Sequence, residues 1–296
     1  MKIGVFDVGG TFIKYAISDE LGNLSCLGKL PTPLETKEDF IKCIHRILNQ
    51  LGKVDGLAFS LPGFIDNDKG YISVGGSLRY HDSYKFIENM QKEFQLPISI
   101  ENDARCAALA ELWKGEAKHY KNAVMLVFGT GIGSALIQEG QIYRGSHHMA
   151  NELSCIISRD LKEHGMNATL GSRFGIPSLA KRISKVVNQE IKGEDIFELI
   201  KQGNQAVIEI YKRYIYELSI EIFNFQCMYD PDVFYIGGGV SEQEMFIQSL
   251  QVGVHQFIDN LPFEIPHIEL KKATFSSKAN LVGAVYRYLL KQGTLS

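Results

Sequence analysis

Two short glycine-rich turns hold the residue types best suited to chemistry. One is Asp7-Val-Gly-Gly-Thr11, with Gly9, Gly10 and, three residues beyond, Lys14; the other is Gly129-Thr-Gly-Ile-Gly133, with Thr130 and Gly131. Backbone N–H groups can cradle an anionic phosphate only where no Cβ blocks the approach, which is what glycine supplies. Asp7 ends an apolar strand-like run, where a hard carboxylate oxygen suits Mg²⁺ held through water. Two such turns facing one another across a cleft would hold one nucleoside triphosphate. Taken singly, each reads equally well as an ordinary tight turn; the pair, joined to Asp7, Thr11, Lys14 and Thr130, carries more weight.

The elements around these turns set them apart from a Rossmann or Walker loop. Each follows an apolar run, Ile3 to Phe6 or Ala123 to Phe128, and is followed by a second, Phe12 to Ile17 or Ser134 to Ile137. The unit is therefore strand, glycine turn, strand. In the dinucleotide and Walker folds the turn instead opens a helix. The spacing predicts strands over 2–8, 12–18 and 24–30, a helix over 36–51 stopped by Gly52, and a buried parallel strand over 54–61. Pro62-Gly63 and Gly75-Gly76-Ser77 punctuate an irregular stretch, and a helix is predicted over 83–94. A short strand, 97–100, delivers Glu101-Asn102-Asp103 to a helix over 104–113.

Asp103 at a strand-to-helix junction reads first as an N-cap, although Cys106 stands where a capping-box Glu or Gln would be. Asn102 beside it can both donate to and accept from a polyhydroxylated substrate. Glu152 is a loop carboxylate suited to a pair of sugar hydroxyls. His147 and His148 are neighbours that point to opposite faces on a strand, so they are read as surface or hydrogen-bonding histidines, not one metal centre. From Ser178 to Tyr229 the chain reads as mostly helical, with 205–229 apolar all round and buried. A strand over 233–236 runs into Gly237-Gly238-Gly239 and a helix from about Glu242, where adenine or ribose can lie against backbone. A strand over 267–270 and an amphipathic helix over 280–291 complete the chain.

Composition narrows the functional class. At 296 residues, 45% hydrophobic and 22% charged, the chain is an ordinary globular protein with room for two domains. A formal net charge of −3 gives no global reason to bind nucleic acid or an anionic membrane. No apolar run approaches a membrane span and no signal peptide is read at Met1-Lys2. Five dispersed cysteines, Cys26, Cys43, Cys106, Cys155 and Cys227, read as reduced thiols of a cytoplasmic protein.

The order of motifs, Asp7-x-Gly-Gly-Thr-x-x-Lys14, Pro62-Gly63, Gly75-Gly76, Glu101-Asn102-Asp103, Gly129-Thr-Gly-Ile-Gly133, Asn151-Glu152 and Gly237-Gly-Gly239, resembles the ROK family (repressor, open reading frame, kinase) of the actin/hexokinase-like ATPase superfamily. The likeness covers essentially the whole chain. It implies an α/β, two-lobed fold of ribonuclease H-like repeats around a cleft. The lobes would be 1–117, joined by the helix 280–296, and 118–279. It further implies ATP and Mg²⁺ on the glycine loops, Asp103 as catalytic base, and Gly75, Gly76, Asn102, Asp103 and Glu152 around a hexose. A homodimer is implied as well.

One departure from the family pattern is informative. Most kinases of this family carry a histidine just after the glutamate, then a cysteine-rich segment that binds structural zinc. Here Cys155 takes the histidine position and no cysteine follows in 161–171. A closed site needs about four N or S ligands, so no zinc is expected. Loss of that histidine opens the sugar's anomeric end to a second sugar unit. Together with Val74-Gly-Gly-Ser-Leu-Arg79, this resembles the zinc-less β-glucoside kinases, which phosphorylate the 6-hydroxyl of a glucose unit in cellobiose-type substrates. The alternatives are a monosaccharide kinase acting on glucose or N-acetylmannosamine, and a sugar-sensing regulator without catalysis. The intact Asp7 and Asp103 disfavour the sensor, as does a chain that opens on the first hairpin strand with no winged helix before it. An acetate-kinase-like or actin-like ATPase is the weakest option.

Overall fold

Isoleucine, valine and phenylalanine make β1 (Ile3–Val8) a strand buried along its whole length, because β-branched and aromatic side chains pack well on a pleated surface. The computed structural model describes residues 1–295. From β1 the chain turns back through β2 (Phe12–Ser18) and β3 (Leu24–Pro31), and α1 (Lys37–Leu51) crosses over to β4 (Gly56–Leu61). A small hairpin follows, β5 (Phe64–Asp66) with β6 (Tyr71–Val74), then α2 (Phe86–Phe94), β7 (Ile98–Asn102) and α3 (Asp103–Lys114). The sheet order is β3-β2-β1-β4-β7, antiparallel through the meander and parallel from β1 to β4 and β7.

The same construction is repeated downstream. β8 (Ala123–Phe128), β9 (Ile132–Gln138) and β10 (Gln141–Tyr143) form a second meander. The helices α4 (Leu161–His164), α5 (Leu170–Phe174), α6 (Ile176–Val187), α7 (Gly193–Lys201) and α8 (Gln205–Tyr229) precede β11 (Val233–Gly237), α9 (Glu244–Asp259) and β12 (Leu270–Lys272). This sheet runs β10-β9-β8-β11-β12, with β11 parallel to both β8 and β12. Strand for strand the two orders match, as a duplicated α/β unit requires. The terminal helix α10 (Ala279–Lys291) packs on the first sheet and on α3.

By their contacts, residues 1–118, 144–150 and 278–296 group as one unit and 119–143 with 151–277 as another. Segment 144–150, which the sequence division leaves in the second lobe, groups with the first because its side chains and carbonyls are tied there. The first unit's core gathers Phe6, Phe40, Phe59 and Phe86 between sheet and helices. The second gathers Phe128, Phe174, Tyr214 and Phe234. No helix among the described residues is long and apolar enough to cross a membrane.

Several element boundaries differ from those read in the sequence. The helix expected from Ser83 starts at Phe86, because Ser83 has φ +54° and the N–H groups of Ser83 and Tyr84 bond to Ser73 and Ile72. The helix expected from about Glu242 starts at Glu244, after a 3-10 turn over Gly239–Glu242. The last strand is Leu270–Lys272, not 267–270, set by the pairing of Phe234 with Leu270. Helix α8 is not buried all round: Tyr216 and Met228 lie on its exposed side.

Candidate active site

The parallel strands β1, β4 and β7 end side by side, and four separated motifs meet at those ends. This is where open α/β sheets bind ligands. Asp7 is buried on β1. Its Oδ1 accepts from Ser60 Oγ of β4 at 3.1 Å and from Asn280 Nδ2 of α10 at 2.9 Å. Its Oδ2 faces Lys14 Nζ at 3.6 Å. Asp7 and Lys14 are direct cross-strand partners, so the hairpin register brings the pair onto one face. In the turn, Gly9 N–H donates to Phe12 O at 3.0 Å and is spent on closing the hairpin. A Cβ on Gly10 would lie 3.1 Å from Ser77 Cβ, so the turn abuts Gly75-Gly76-Ser77. Asn102 Nδ2 donates to Gly63 O at 3.1 Å, and Gly76 lies against Pro62 and Gly63.

Asp103 is the first residue of α3, not its cap. Asn102 is the cap, accepting Arg105 N–H at 3.1 Å, while Asp103 Oδ1 accepts Ala104 N–H at 2.8 Å. Asp103 is half-buried. Burial pushes its pKa up to about 6, the negative charge of Asp7 adds to the rise, and the Ala104 N–H opposes it. A carboxylate with its proton affinity near neutrality is suited to act as a general base.

Glu101, fully buried two residues before Asp103, is the hub of an ionic network that sequence reasoning missed. Its Oε2 accepts from Asn67 Nδ2 at 2.5 Å and from Arg144 Nη2 at 2.8 Å, and its Oε1 accepts the Asn102 N–H at 3.0 Å. Buried Arg105 lies 4.0 Å from Glu101 and donates to His148 O at 2.7 Å. These contacts bind segment 144–150 to the strand that carries Asp103. The signal in the sequence was a glutamate at the end of a buried strand, which demands a partner. His147 is exposed, and His148 Nε2 stands 3.4 Å from Asp66 Oδ1.

In the second unit, Gly129-Thr-Gly-Ile-Gly133 is the turn of the β8–β9 hairpin, and Gly129 N–H donates to Gly131 O at 3.0 Å. Gly133 lies within β9, paired with Val127. The start of α6 is tied to the turn by Ile176 N–H donating to Gly129 O at 3.0 Å. A Cβ on Gly175 would come within 2.0 Å of Thr130 O, so only glycine permits that approach. At the end of β11, Gly238 has φ +86° and would clash with Phe128 O if substituted. Gly129 and Gly239 thereby line one hollow of about 400 Å³ with Phe128, Ile176, Glu194 and Gln243. Its size falls in the range of small-molecule sites, and Glu194 and Gln243 were not singled out in the sequence.

The family model described as ROK family matches residues 3–292. The chain belongs to the ROK family. Its fold is thus that of the actin/hexokinase-like ATPases. It is 28% identical to a β-glucoside kinase of Klebsiella pneumoniae, over 97% of this chain and 96% of that protein. It is 25% identical to an N-acetyl-D-glucosamine kinase of Haemophilus influenzae, over 96% and 98%. Among solved structures, a ROK family protein from Streptococcus pneumoniae in complex with sucrose superposes with a TM-score of 0.86, at 27% identity and full coverage of both chains.

The residues present do not fit the structural zinc that the ROK resemblance brings to mind. Between Leu153 and Gly171 the thiol and imidazole donors are Cys155, on a 3-10 turn, and His164, at the end of α4. Two donors fall short of a closed tetrahedral set. Instead, Glu217 of α8 draws in Arg159 and Arg182 at 3.4 Å, Arg173 at 3.8 Å and Arg213 at 3.1 Å, which ties this stretch to the long helix.

Proposed function

We propose that this chain transfers the γ-phosphate of ATP to the 6-hydroxyl of a glucose unit in a β-glucoside such as cellobiose. The observation that carries the reading is Asp103: a helix-start carboxylate with a pKa raised to about 6, at the strand ends where Asp7, Asn102 and the first glycine turn converge. It takes the proton of the attacking hydroxyl. Phosphoryl transfer otherwise asks a protein mainly to position the partners and balance charge.

The N–H groups of Gly10, Thr11, Thr130 and Gly131 are the proposed phosphate donors, since those of Gly9 and Gly129 close their own turns. The hollow between the second glycine turn and Gly237-Gly238-Gly239 is assigned to the nucleoside, with Glu194 and Gln243 as hydrogen-bonding groups. Mg²⁺, when bound, neutralises phosphate charge. Asp7 fits it through water, its Oδ1 fixed by Ser60 and Asn280. Gly75, Gly76, Asn102 and Glu152 are assigned to the sugar.

The β-glucoside choice draws on the relatives named as β-glucoside kinases and on the disaccharide in the pneumococcal structure. A second reading, a kinase of a single amino sugar, is favoured by the Haemophilus relative. The dispersed free cysteines support a place in the cytoplasm, and the family likeness supports a homodimer. A coupled ADP-release screen over glucose, N-acetylglucosamine, N-acetylmannosamine, cellobiose, gentiobiose and aryl β-glucosides tests the proposal. Turnover of β-glucosides is expected; activity confined to monosaccharides removes the β-glucoside reading, and silence on every sugar removes the kinase.

A further inference from the structure

Asn151 is buried, with 7% of its surface exposed, yet neither its Oδ1 nor its Nδ2 finds a hydrogen-bond partner in the protein. Its backbone is also in the left-handed region, φ +62°. Both features work against the fold. A buried amide can donate twice and accept twice, and folded chains leave few such groups unmatched. Glycine takes a left-handed conformation with no Cβ penalty and brings no amide to satisfy. The backbone on this segment is held in place, because Ser134 Oγ donates to Asn151 O at 2.5 Å and accepts Leu153 N–H at 3.2 Å. Ser134 is itself buried on β9, directly after the second glycine turn.

We infer that Asn151 is a substrate-binding residue whose amide is completed by two hydroxyls of an uncharged sugar, one accepting from Nδ2 and one donating to Oδ1. The neighbour in sequence is the carboxylate of Glu152, which repels a phosphate and accepts from a hydroxyl. An electroneutral polyol meets both residues at once, whereas an anion could use only the Nδ2 donors and would leave Oδ1 unmatched beside the carboxylate. The inference rests on the sugar-kinase reading and adds to it a specificity residue, one that discriminates by the presence of a hydroxyl pair. A site built to bond hydroxyls rejects analogues that lack them, because its own buried groups are then left unpaired.

The test uses the whole chain with the substitution Asn151→Gly, which suits φ +62° and removes only the amide. Sugar binding is measured by calorimetry without nucleotide, and turnover separately, on the best substrate of the screen and on its monodeoxy analogues. The expected result is a rise of about tenfold or more in sugar Kd and KM, with kcat and the KM for ATP nearly unchanged. One deoxy analogue that binds poorly to the wild type should lose little further in the variant. Asn151→Asp, which keeps the shape, gives the same comparison should the glycine variant fold poorly. Unchanged sugar affinity with a lowered Tm overturns the inference in favour of a purely structural amide, and a rise confined to the KM for ATP overturns it in favour of the nucleotide. Sugar binding without turnover in the wild type removes the kinase reading and leaves this test standing; no binding of any sugar removes both.

Discussion

Ser134 Oγ donates to Asn151 O at 2.5 Å and accepts from Leu153 N–H at 3.2 Å, so one hydroxyl holds both sides of the segment that presents Glu152. Ser134 follows immediately on the glycine turn assigned to phosphate. Replacing it with alanine strands a buried carbonyl and a buried N–H together. Ser134→Ala is expected to lose about 1–3 kcal/mol of stability and to raise the KM for sugar more than the KM for ATP. Thermal denaturation and steady-state kinetics measure the two effects; a variant with wild-type Tm and KM would show that the clamp is idle.

Asp103→Asn should lower kcat by about 10²–10⁴-fold, the usual contribution of a positioned general base, while sugar affinity stays within a few-fold. In the wild type the base must be unprotonated, so the rate falls as pH drops through about 6. Stability runs the other way. The folded carboxyl holds its proton up to about 6 and the unfolded one only to the ordinary value of 3.8, so the fold loses stability as pH rises through that window. The asparagine variant should therefore be more stable than the wild type at pH 7.5 and equal to it below pH about 3.5. Equal melting curves at both pH values would contradict this.

Glu101→Gln sets an amide donor among the donors of Asn67, Arg144 and Arg105. Breaking a buried ion pair from one side is expected to lower stability by about 3–5 kcal/mol. Hydrogen exchange should rise in 144–150, the segment held by Arg144 and by Arg105 through His148 O. Exchange unchanged in that segment would place its anchor elsewhere.

Gly238→Ala forces a Cβ to within 2.1 Å of Phe128 O at φ +86°. The strand end must shift, and with it Gly239, which lines the hollow assigned above to the nucleoside. A raised KM for ATP with sugar affinity retained is the expected result, read by calorimetry with each ligand separately. Loss of sugar binding alone would reassign the hollow.

What the sequence determined by itself was the local grammar. The apolar runs on either side of Gly9-Gly10 and Gly129 to Gly133 can pair only as hairpins, and Asn102-Asp103 stands where a strand gives way to a helix. Those readings depend on chain neighbours and on periodicity, which short-range physics fixes. The tertiary structure decided which residue caps α3 and how far the carboxyl of Asp103 is stripped of water. It also decided what pairs with Glu101. Those outcomes depend on contacts between distant residues: Asp7 with Asn280, 273 positions apart, and Glu101 with Arg144, 43 apart. Periodicity reports which face of an element is buried but not which polar groups meet there, so Asn151 passed as half of a short motif. Only packing shows its amide buried and unmatched.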